Sequence, residues 1–402
     1  MPAGPLVGGL AFGALVVLTL VAPRRPRWLA GLAFRVSAAY NEAPFLFILV
    51  IIAGSIGPAI GGQFESTGGL AVLGLTLLLV FGLLVIARRG AHERPLVERA
   101  LDDGLGAGWR DSVDSRLLEG LRTRPPLGWI LFMPFVFRPP GVESNRNVAY
   151  GPAGRLNLLD IHRPRRRTTG APVLLFFHGG GYRGGRKGVE ARELLFRLAS
   201  RGWVTVSADY RLRPRADFFD HLADAKRAIG WIHDHIDEYG GDASMLFLSG
   251  GSAGGHLATI AGLTQNEPRY QPGFEDASSS VTAVAPLYGW YGGYYELGDA
   301  TSEGGVLGHP ADDAPPFFIA HGTEDSAAPI ETARRFAAHL RETSPNPVVF
   351  TELPHGQHAF ALFHSFRFSA VVDGIEAFAS WVRTHSDRGG GSNATRRHDQ
   401  PP

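Results

Sequence analysis

One serine and its glycine neighbours are the part of the sequence best suited to chemistry. Ser252 lies in the run 250–254 (GGSAG), between an apolar, strand-like segment (245–248) and a helix-forming segment (256–261). A strand, a sharp turn and a helix in this order place the serine at the tip of the turn, where the backbone is strained and the hydroxyl projects from the sheet. A hydroxyl at a helix N-terminus is a nucleophile if a base and an oxyanion site can reach it.

A second glycine-rich segment could supply that oxyanion site. Residues 178–181 (HGGG) follow the apolar run 173–177. Consecutive glycines allow the backbone to approach a substrate closely and to turn its N–H groups toward it. We predict that Gly180, Gly181 and Ala253 donate backbone N–H groups to the oxyanion that forms when a carbonyl is attacked. The alternative is that the glycines form only a flexible surface turn.

These two motifs together resemble the α/β-hydrolase superfamily, specifically the hormone-sensitive-lipase-like carboxylesterases. The resemblance covers residues 147–383 and includes the segments 209–212 (DYRL), 321–325 (HGTED) and 358–360 (HAF). In the family, these segments brace the oxyanion loop, carry the triad acid and carry the triad histidine. The family often has an acidic residue before the nucleophile, whereas this chain has Gly251. With His256 and Leu257, this difference resembles the bacterial esterase and feruloyl-esterase-like branch.

The resemblance implies a catalytic role for three side chains. Ser252 attacks an ester carbonyl, His358 takes its proton, and Asp325 orients the imidazole and stabilises its charged form. No cofactor and no metal are expected. Glu324 is an alternative for the acid and His355 for the base. The family spacing favours Asp325, and the Ala-Phe pair that follows His358 favours that histidine.

An aromatic cluster follows the apolar run 281–285. From it we predict Tyr288, Trp290 and Tyr291 as substrate-binding residues, together with Tyr182 beside the oxyanion loop. The alternative is that the cluster, which also includes Tyr294 and Tyr295, is simple packing.

Composition excludes several classes of function. Among 402 residues the net charge is +1, so nothing favours a nucleic-acid partner. The chain has no cysteine, which excludes disulfides, thiolate catalysis and cysteine-ligated zinc.

Residues 1–90 differ from the rest of the chain. They contain three uncharged apolar segments at 6–21, 45–60 and 68–87, and a helix needs about 20 such residues to cross a bilayer. We predict three membrane spans, although a signal peptide is an alternative for the first segment. Arginines follow the first and third segments, whereas none lies between the second and the third. The positive-inside rule then puts the N-terminus outside and the catalytic domain in the cytoplasm of a bacterium, with the anchor in its plasma membrane.

The remaining chain divides into three parts. Residues 91–146 are predicted to be a juxtamembrane linker, in which 128–137 form an interfacial segment, an active-site lid or core. Residues 147–385 alternate strand-like and helical runs, which predicts a mostly parallel sheet covered by helices on both faces. Residues 386–402 are predicted to be a disordered tail.

These predictions lead to one principal hypothesis, a membrane-anchored serine carboxylesterase or lipase. Its partners would be a small-molecule or lipid ester and the lipid bilayer. Two alternatives remain: a hydrolase of a formamide, an amide or a prenyl-protein methyl ester, and a catalytically inactive membrane scaffold.

Overall fold

Strands and helices alternate from residue 142 onward and build one eight-stranded sheet. The computed structural model describes residues 3–23, 25–166 and 168–395. The strands are β1 (Val142–Ala149), β2 (Leu158–Pro164), β3 (Ala171–Phe177), β4 (Val204–Ala208), β5 (Gly241–Gly251), β6 (Ala283–Leu287), β7 (Phe317–Gly322) and β8 (Val348–Leu353). Their order in the sheet is β1-β2-β4-β3-β5-β6-β7-β8. The pairs β1/β2 and β2/β4 are antiparallel, and the pairs from β4 to β8 are parallel.

Helices cover both faces of this sheet and form a separate group at the N-terminus. The described helices are α1 (Ala3–Val21), α2 (Arg27–Tyr40), α3 (Pro44–Ile60), α4 (Thr67–Ala91), α5 (Glu93–Leu105), α6 (Ser115–Leu118), α7 (Leu127–Phe132), α8 (Arg192–Ser200), α9 (Phe218–His235), α10 (Ala253–Leu263), α11 (Ile330–Thr343) and α12 (Phe366–Thr395). A mostly parallel sheet between two helical layers is the α/β-hydrolase architecture that the sequence predicts.

The alternation of side chains along β3 divides the core into two layers. Val173, Leu175 and Phe177 face the layer that contains α9, α10 and α11. Leu174 and Phe176 face the opposite layer, which contains α5, α8 and α12. Because both faces are covered, β3 is apolar throughout and fully buried, as expected for a central parallel strand.

Two predicted boundaries differ from the observed ones. The sheet begins at residue 142, inside the predicted linker 91–146. Within that linker, Val97 and Leu101 on α5 belong to the core cluster beneath the sheet, because the apolar face of α5 packs against β8 and α12. At the other end, α12 continues to Thr395, so residues 386–395 of the predicted tail are helical. Residues 396–402 lie outside the described residues.

The N-terminal helices do not all meet the length of a membrane span. Among the described residues, length and composition identify one spanning helix, which runs from Thr67 to Leu105 through α4 and α5. The helices 28–40 and 44–60 qualify only as a bent pair with an angle of 77°, and the helix at 6–21 is shorter. The structure therefore supports one span, or two if the bent pair is one span, where the sequence predicts three.

A buried ion cluster joins these helices to the catalytic part of the chain. Arg367, near the start of α12, donates to Glu42 in the turn between α2 and α3 and to Glu93 at the start of α5, the latter at 3.1 Å from Nε. All three side chains are buried. Arg367 Nη2 also donates to the carbonyl of Pro354, in the loop after β8. One guanidinium therefore ties two N-terminal segments to that loop.

Arg367→Ala should strongly destabilise the protein, because it leaves two buried carboxylates without their cation, a loss of about 3–5 kcal/mol. The test is thermal unfolding of the purified full-length protein, compared with Arg116→Ala, which removes an exposed arginine from α6. The midpoint should fall for Arg367→Ala alone. Equal midpoints for the two variants would contradict this role of the cluster.

Candidate active site

Ser252 occupies the strained turn between β5 and α10. Its backbone has φ 55° and ψ −117°, a conformation that is costly for a residue with a side chain. The turn also brings chain segments unusually close, since a Cβ on Gly254 would lie 2.1 Å from the carbonyl oxygen of Phe177 on β3. Only glycine fits at residue 254, which explains why the serine is followed by that residue in the motif.

A hydrogen-bonded chain of three side chains begins at this serine. Ser252 Oγ lies 2.7 Å from His358 Nε2, and His358 Nδ1 lies 2.6 Å from Asp325 Oδ2. Asp325 follows β7 and His358 follows β8, so the carboxyl ends of three parallel strands bring together residues far apart in sequence. The carboxylate accepts from Nδ1–H, which leaves Nε2 free to accept the serine proton.

Asp325 is buried and held by several donors. Its Oδ1 accepts from the backbone N–H groups of Ala327 and Ala328 at 2.9 and 2.7 Å. Burial by itself raises the pKa of Asp325, but the nearby His358 and hydrogen bonds from His321 and His358 outweigh it and hold the pKa well below its usual range. The group is therefore a carboxylate at neutral pH.

The alternative acid and base lie apart from this chain of side chains. Glu324 Oε1 and His355 Nδ1 are 2.7 Å from each other and form a pair of their own on the loops after β7 and β8. Ser249, just before the glycines, donates to the carbonyl of Ala285 on β6. The structure thus brings Ser252, Asp325 and His358 together and pairs the two alternatives with one another.

The glycine-rich loop after β3 is fixed by the residues that follow β4. The hydroxyl of Tyr210 donates to the carbonyl of His178 at 2.7 Å, and the rings of the two residues stack with centroids 4.5 Å apart. Asp209 accepts from the N–H of Lys187 at 2.6 Å, farther along the same loop. The segment 209–212 therefore contacts the loop that it is predicted to brace.

The three predicted oxyanion donors lie together beside the nucleophile. Gly180 and Gly181 have positive φ angles of 117° and 60°, which turn the loop back on itself. Both residues and Ala253 line the same cavity as Ser252 and His358. An ester carbonyl in this cavity would be within reach of the loop, of the start of α10 and of the serine.

This cavity has a volume of about 870 Å³ and an aromatic wall. Of the four predicted substrate-binding residues, Tyr182 and Trp290 line it. Tyr288 and Tyr291 are not among its lining residues. Tyr288 is fully buried, with its ring 5.0 Å from that of His358, and Tyr291 stacks on Phe336 at 5.2 Å. Those two tyrosines pack beneath the site because they point into the core.

Tyr182 contacts the cavity with only part of its surface. Its hydroxyl lies 2.7 Å from His256 Nδ1, and His256 Nε2 lies 3.1 Å from the carbonyl of Gly304. Burial lowers the pKa of His256 to about 3, so its imidazole is neutral and accepts from the tyrosine. This arrangement fixes the ring of Tyr182 at the cavity wall.

Three aromatic residues that the sequence analysis does not assign to the site also line the cavity. Tyr294 and Tyr295 belong to the aromatic cluster already noted, so their positions were close to predictable. Phe34 comes from α2, and its ring lies 5.6 Å from that of His358. No signal in the sequence points to Phe34, because only the folded chain brings α2 over the active site.

The apolar segment 128–137 does not form this wall. None of its residues lines the cavity. Instead it packs beside the loop that follows His358, where Pro134 accepts from the His364 N–H at 2.7 Å and Trp129 stacks on His364. Phe132, Phe135 and other large apolar side chains of the segment are exposed. Of the three predicted roles, those of lid and core therefore do not match its position.

No metal site accompanies these residues. Within residues 3–23, 25–166 and 168–395, no group of three or more His, Asp or Glu side chains is placed to hold a metal ion.

Comparison with known proteins agrees with this architecture. The BD-FAE family model matches residues 159–298. The probable carboxylic ester hydrolase LipM of Mycobacterium tuberculosis is 38% identical over 331 residues, which are 75% of this chain and 75% of LipM. Esterase LipC of the same organism is 31% identical over 383 residues, 85% of this chain and 92% of LipC. The chain belongs to this family of serine esterases.

Solved structures of a thermophilic esterase share the fold of this serine esterase. Thermogutta terrifontis esterase 2 phosphoramylated by tabun has a TM-score of 0.52 and 26% sequence identity, and the match covers 60% of this chain and 94% of that one. Its butyrate-bound form has a TM-score of 0.51 and 27% identity, and the match covers 60% and 93%. The chain is therefore a carboxylic ester hydrolase with an α/β-hydrolase fold.

Proposed function

We propose that this esterase hydrolyses carboxylic esters with Ser252 as nucleophile, His358 as general base and Asp325 as the acid that orients the histidine. The observation that carries the proposal is the hydrogen-bonded chain from Ser252 Oγ to Asp325 Oδ2, whose serine end opens into the cavity. The motifs 178–181 and 250–254 support a place in the hormone-sensitive-lipase-like branch, with Gly251 as a departure from its usual pattern.

The reaction proceeds through an acyl-enzyme. Ser252 Oγ attacks the ester carbonyl carbon while His358 Nε2 takes its proton, and Asp325 stabilises the imidazolium. The negative charge on the carbonyl oxygen is stabilised by the N–H groups of Gly180, Gly181 and Ala253. When the tetrahedral intermediate collapses, the alcohol leaves with the proton from His358. Water then attacks the acyl-enzyme by the same route and releases the acid.

Neighbouring residues provide matched controls for the proposed triad. Ser252→Ala and Asp325→Asn should lower kcat for p-nitrophenyl butyrate by roughly 10⁴-fold or more, because the nucleophile or the correct histidine tautomer is lost. Glu324→Gln and His355→Gln, which change the adjacent pair, should stay within about threefold of the unmodified enzyme. Turnover by Ser252→Ala equal to that of the unmodified enzyme would refute the proposed nucleophile.

Covalent labelling separates the enzyme from the alternative of an inactive scaffold. A fluorophosphonate should label the unmodified protein at residue 252 and should leave Ser252→Ala unlabelled. An unlabelled wild-type protein would support the scaffold. Turnover of amides, formamides or a prenylcysteine methyl ester in preference to simple esters would support the other hydrolase alternative.

We infer that the substrate is a lipophilic ester. The cavity beside Ser252 is lined by Phe34, Trp290, Tyr294 and Tyr295, with small alanines between the aromatic rings. Such a wall buries hydrocarbon and leaves few polar groups to select a hydrophilic acyl or alcohol group. Phe34 is the part of this wall nearest to the imidazole of His358, and it therefore limits the space next to the scissile bond.

Phe34→Ala should shift the preference of the enzyme toward bulkier esters. We expect the ratio of kcat/KM for p-nitrophenyl decanoate to that for the butyrate ester to rise roughly tenfold, as befits several methylenes of added space. Leu32→Ala, on the exposed side of the same helix, is the control and should leave the ratio unchanged. An unchanged ratio in Phe34→Ala would remove this residue from the substrate-binding wall.

We further propose that residues 1–90 anchor the enzyme in a membrane through α1, α3 and α4. These helices pack on each other through a shared apolar cluster, yet Val50, Ile56 and Phe81 among them remain exposed. Exposed apolar surface of this extent suits hydrocarbon and not water. The exposed aromatic residues of 127–137 lie on and after α7, which contacts α3, and we assign them to the same membrane interface.

An alternating path of the three helices is consistent with a cytoplasmic catalytic domain in a bacterial plasma membrane. Arg89 at the end of α4 donates to the carbonyl of Leu20 at the end of α1, so these two ends lie on the same side. Asn41, before α3, donates to the carbonyl of His355 in a catalytic loop. The basic ends of α1 and α4 therefore lie near the catalytic domain, as the positive-inside rule requires for this orientation.

The absence of native cysteine permits a direct test of this topology. Gln63→Cys, in the turn between α3 and α4, should react with a membrane-impermeant maleimide on intact cells. Asp312→Cys, at an exposed position in the catalytic part, should react only after lysis. The reverse pattern would place the catalytic domain outside the cell, and labelling of both variants on intact cells would contradict the proposed three spans.

A further inference from the structure

Glu190 is a carboxylate at the active site to which the mechanism above assigns no role. It lies between the oxyanion loop and α8, two residues before that helix begins, and it lines the same cavity as Ser252. The side chain is half-buried. Burial raises the pKa of this carboxyl, whereas its hydrogen bond with Gly179 and the proximity of His358 lower it.

The carboxylate of Glu190 is wedged between the two glycine-rich motifs. Its Oε2 accepts from the Gly179 N–H at 2.6 Å. A Cβ built on Gly179 would lie 3.0 Å from Glu190 Oε1 and 3.1 Å from the Cβ of Ser252. A Cβ built on Gly251 would lie 2.9 Å from Glu190 Oε2. The carboxylate therefore touches residue 179 of the oxyanion loop and the residue that precedes the nucleophile.

This placement explains the unusual glycine before the nucleophile. Any side chain at residue 251 would begin in the space that the Glu190 carboxylate and the Tyr288 hydroxyl already occupy. A carboxylate reaches this position from a different segment of the chain, so residue 251 has no room for one of its own. Gly251 and Glu190 form one structural unit.

We propose that Glu190 is a positioning residue for the oxyanion loop. By accepting from the Gly179 N–H, it fixes the peptide that precedes Gly180, so that the following N–H groups face the carbonyl oxygen of the substrate. Preorganised donors contribute most when negative charge develops on that oxygen. Loss of the acceptor should therefore lower kcat and leave substrate binding nearly unchanged. This inference rests on the proposed nucleophile and oxyanion donors.

The test compares two substitutions of similar size in the full-length enzyme. Glu190→Leu removes the acceptor and should lower kcat for p-nitrophenyl butyrate about 10²–10³-fold, with KM within about threefold. Glu190→Gln keeps a carbonyl oxygen that can accept from Gly179, and it should recover kcat to within about tenfold of the unmodified enzyme. Val189→Ala, at the exposed neighbouring residue, should leave both constants unchanged.

Four outcomes would overturn the inference. These are an unchanged kcat in Glu190→Leu, an equal fall in the Gln and Leu variants, a rise in KM with constant kcat, and a loss of kcat in Val189→Ala as large as in Glu190→Leu. If Glu190→Leu does not fold, the Gln variant decides, because a fall of 10²-fold or more in it contradicts the role of its carbonyl oxygen. Failure of the proposed nucleophile is a separate result, since Ser252→Ala would then retain turnover whatever residue 190 does.

Discussion

The strained backbone at Ser252 is the constraint on which the rest of the site depends. A residue with a side chain at φ 55° and ψ −117° carries a cost of about 1–3 kcal/mol, and it persists only where its surroundings hold it. Here the N–H of Ser252 donates to the carbonyl of Leu287, and its own carbonyl accepts from the His256 N–H. The glycines on either side let β3 and α10 come close enough to keep the turn in place.

Burial of charge is managed by the same means throughout the molecule. Asp325 remains ionised in a buried position because two backbone N–H groups and two histidines face its oxygens. Arg367 is buried between two carboxylates that come from different N-terminal segments. In both cases groups distant in sequence supply the partner, so the ionised state exists only in the folded chain.

The N-terminal helices are part of the active site as well as a separate layer. Ala30 on α2 accepts from the Ser326 hydroxyl, next to Asp325, and Phe34 lies against the imidazole of His358. One helix between two apolar helices therefore contacts the loops that carry the proposed acid and base. In this esterase, a shift of the N-terminal helices would be felt at the cavity, because close-packed side chains transmit displacement.

Strong local patterns in the sequence predicted the seven inner and far strands from β2 to β8, the turn at Ser252 and the order of the candidate residues, because apolar runs and glycine motifs are local signals. The edge strand β1 was not predicted, since it is polar and mostly exposed. Helix α2, the packing of α5 under the sheet and the wedge formed by Glu190 were decided only by the tertiary structure. Each depends on contacts between segments far apart in the chain, and periodicity within one segment carries no information about such contacts.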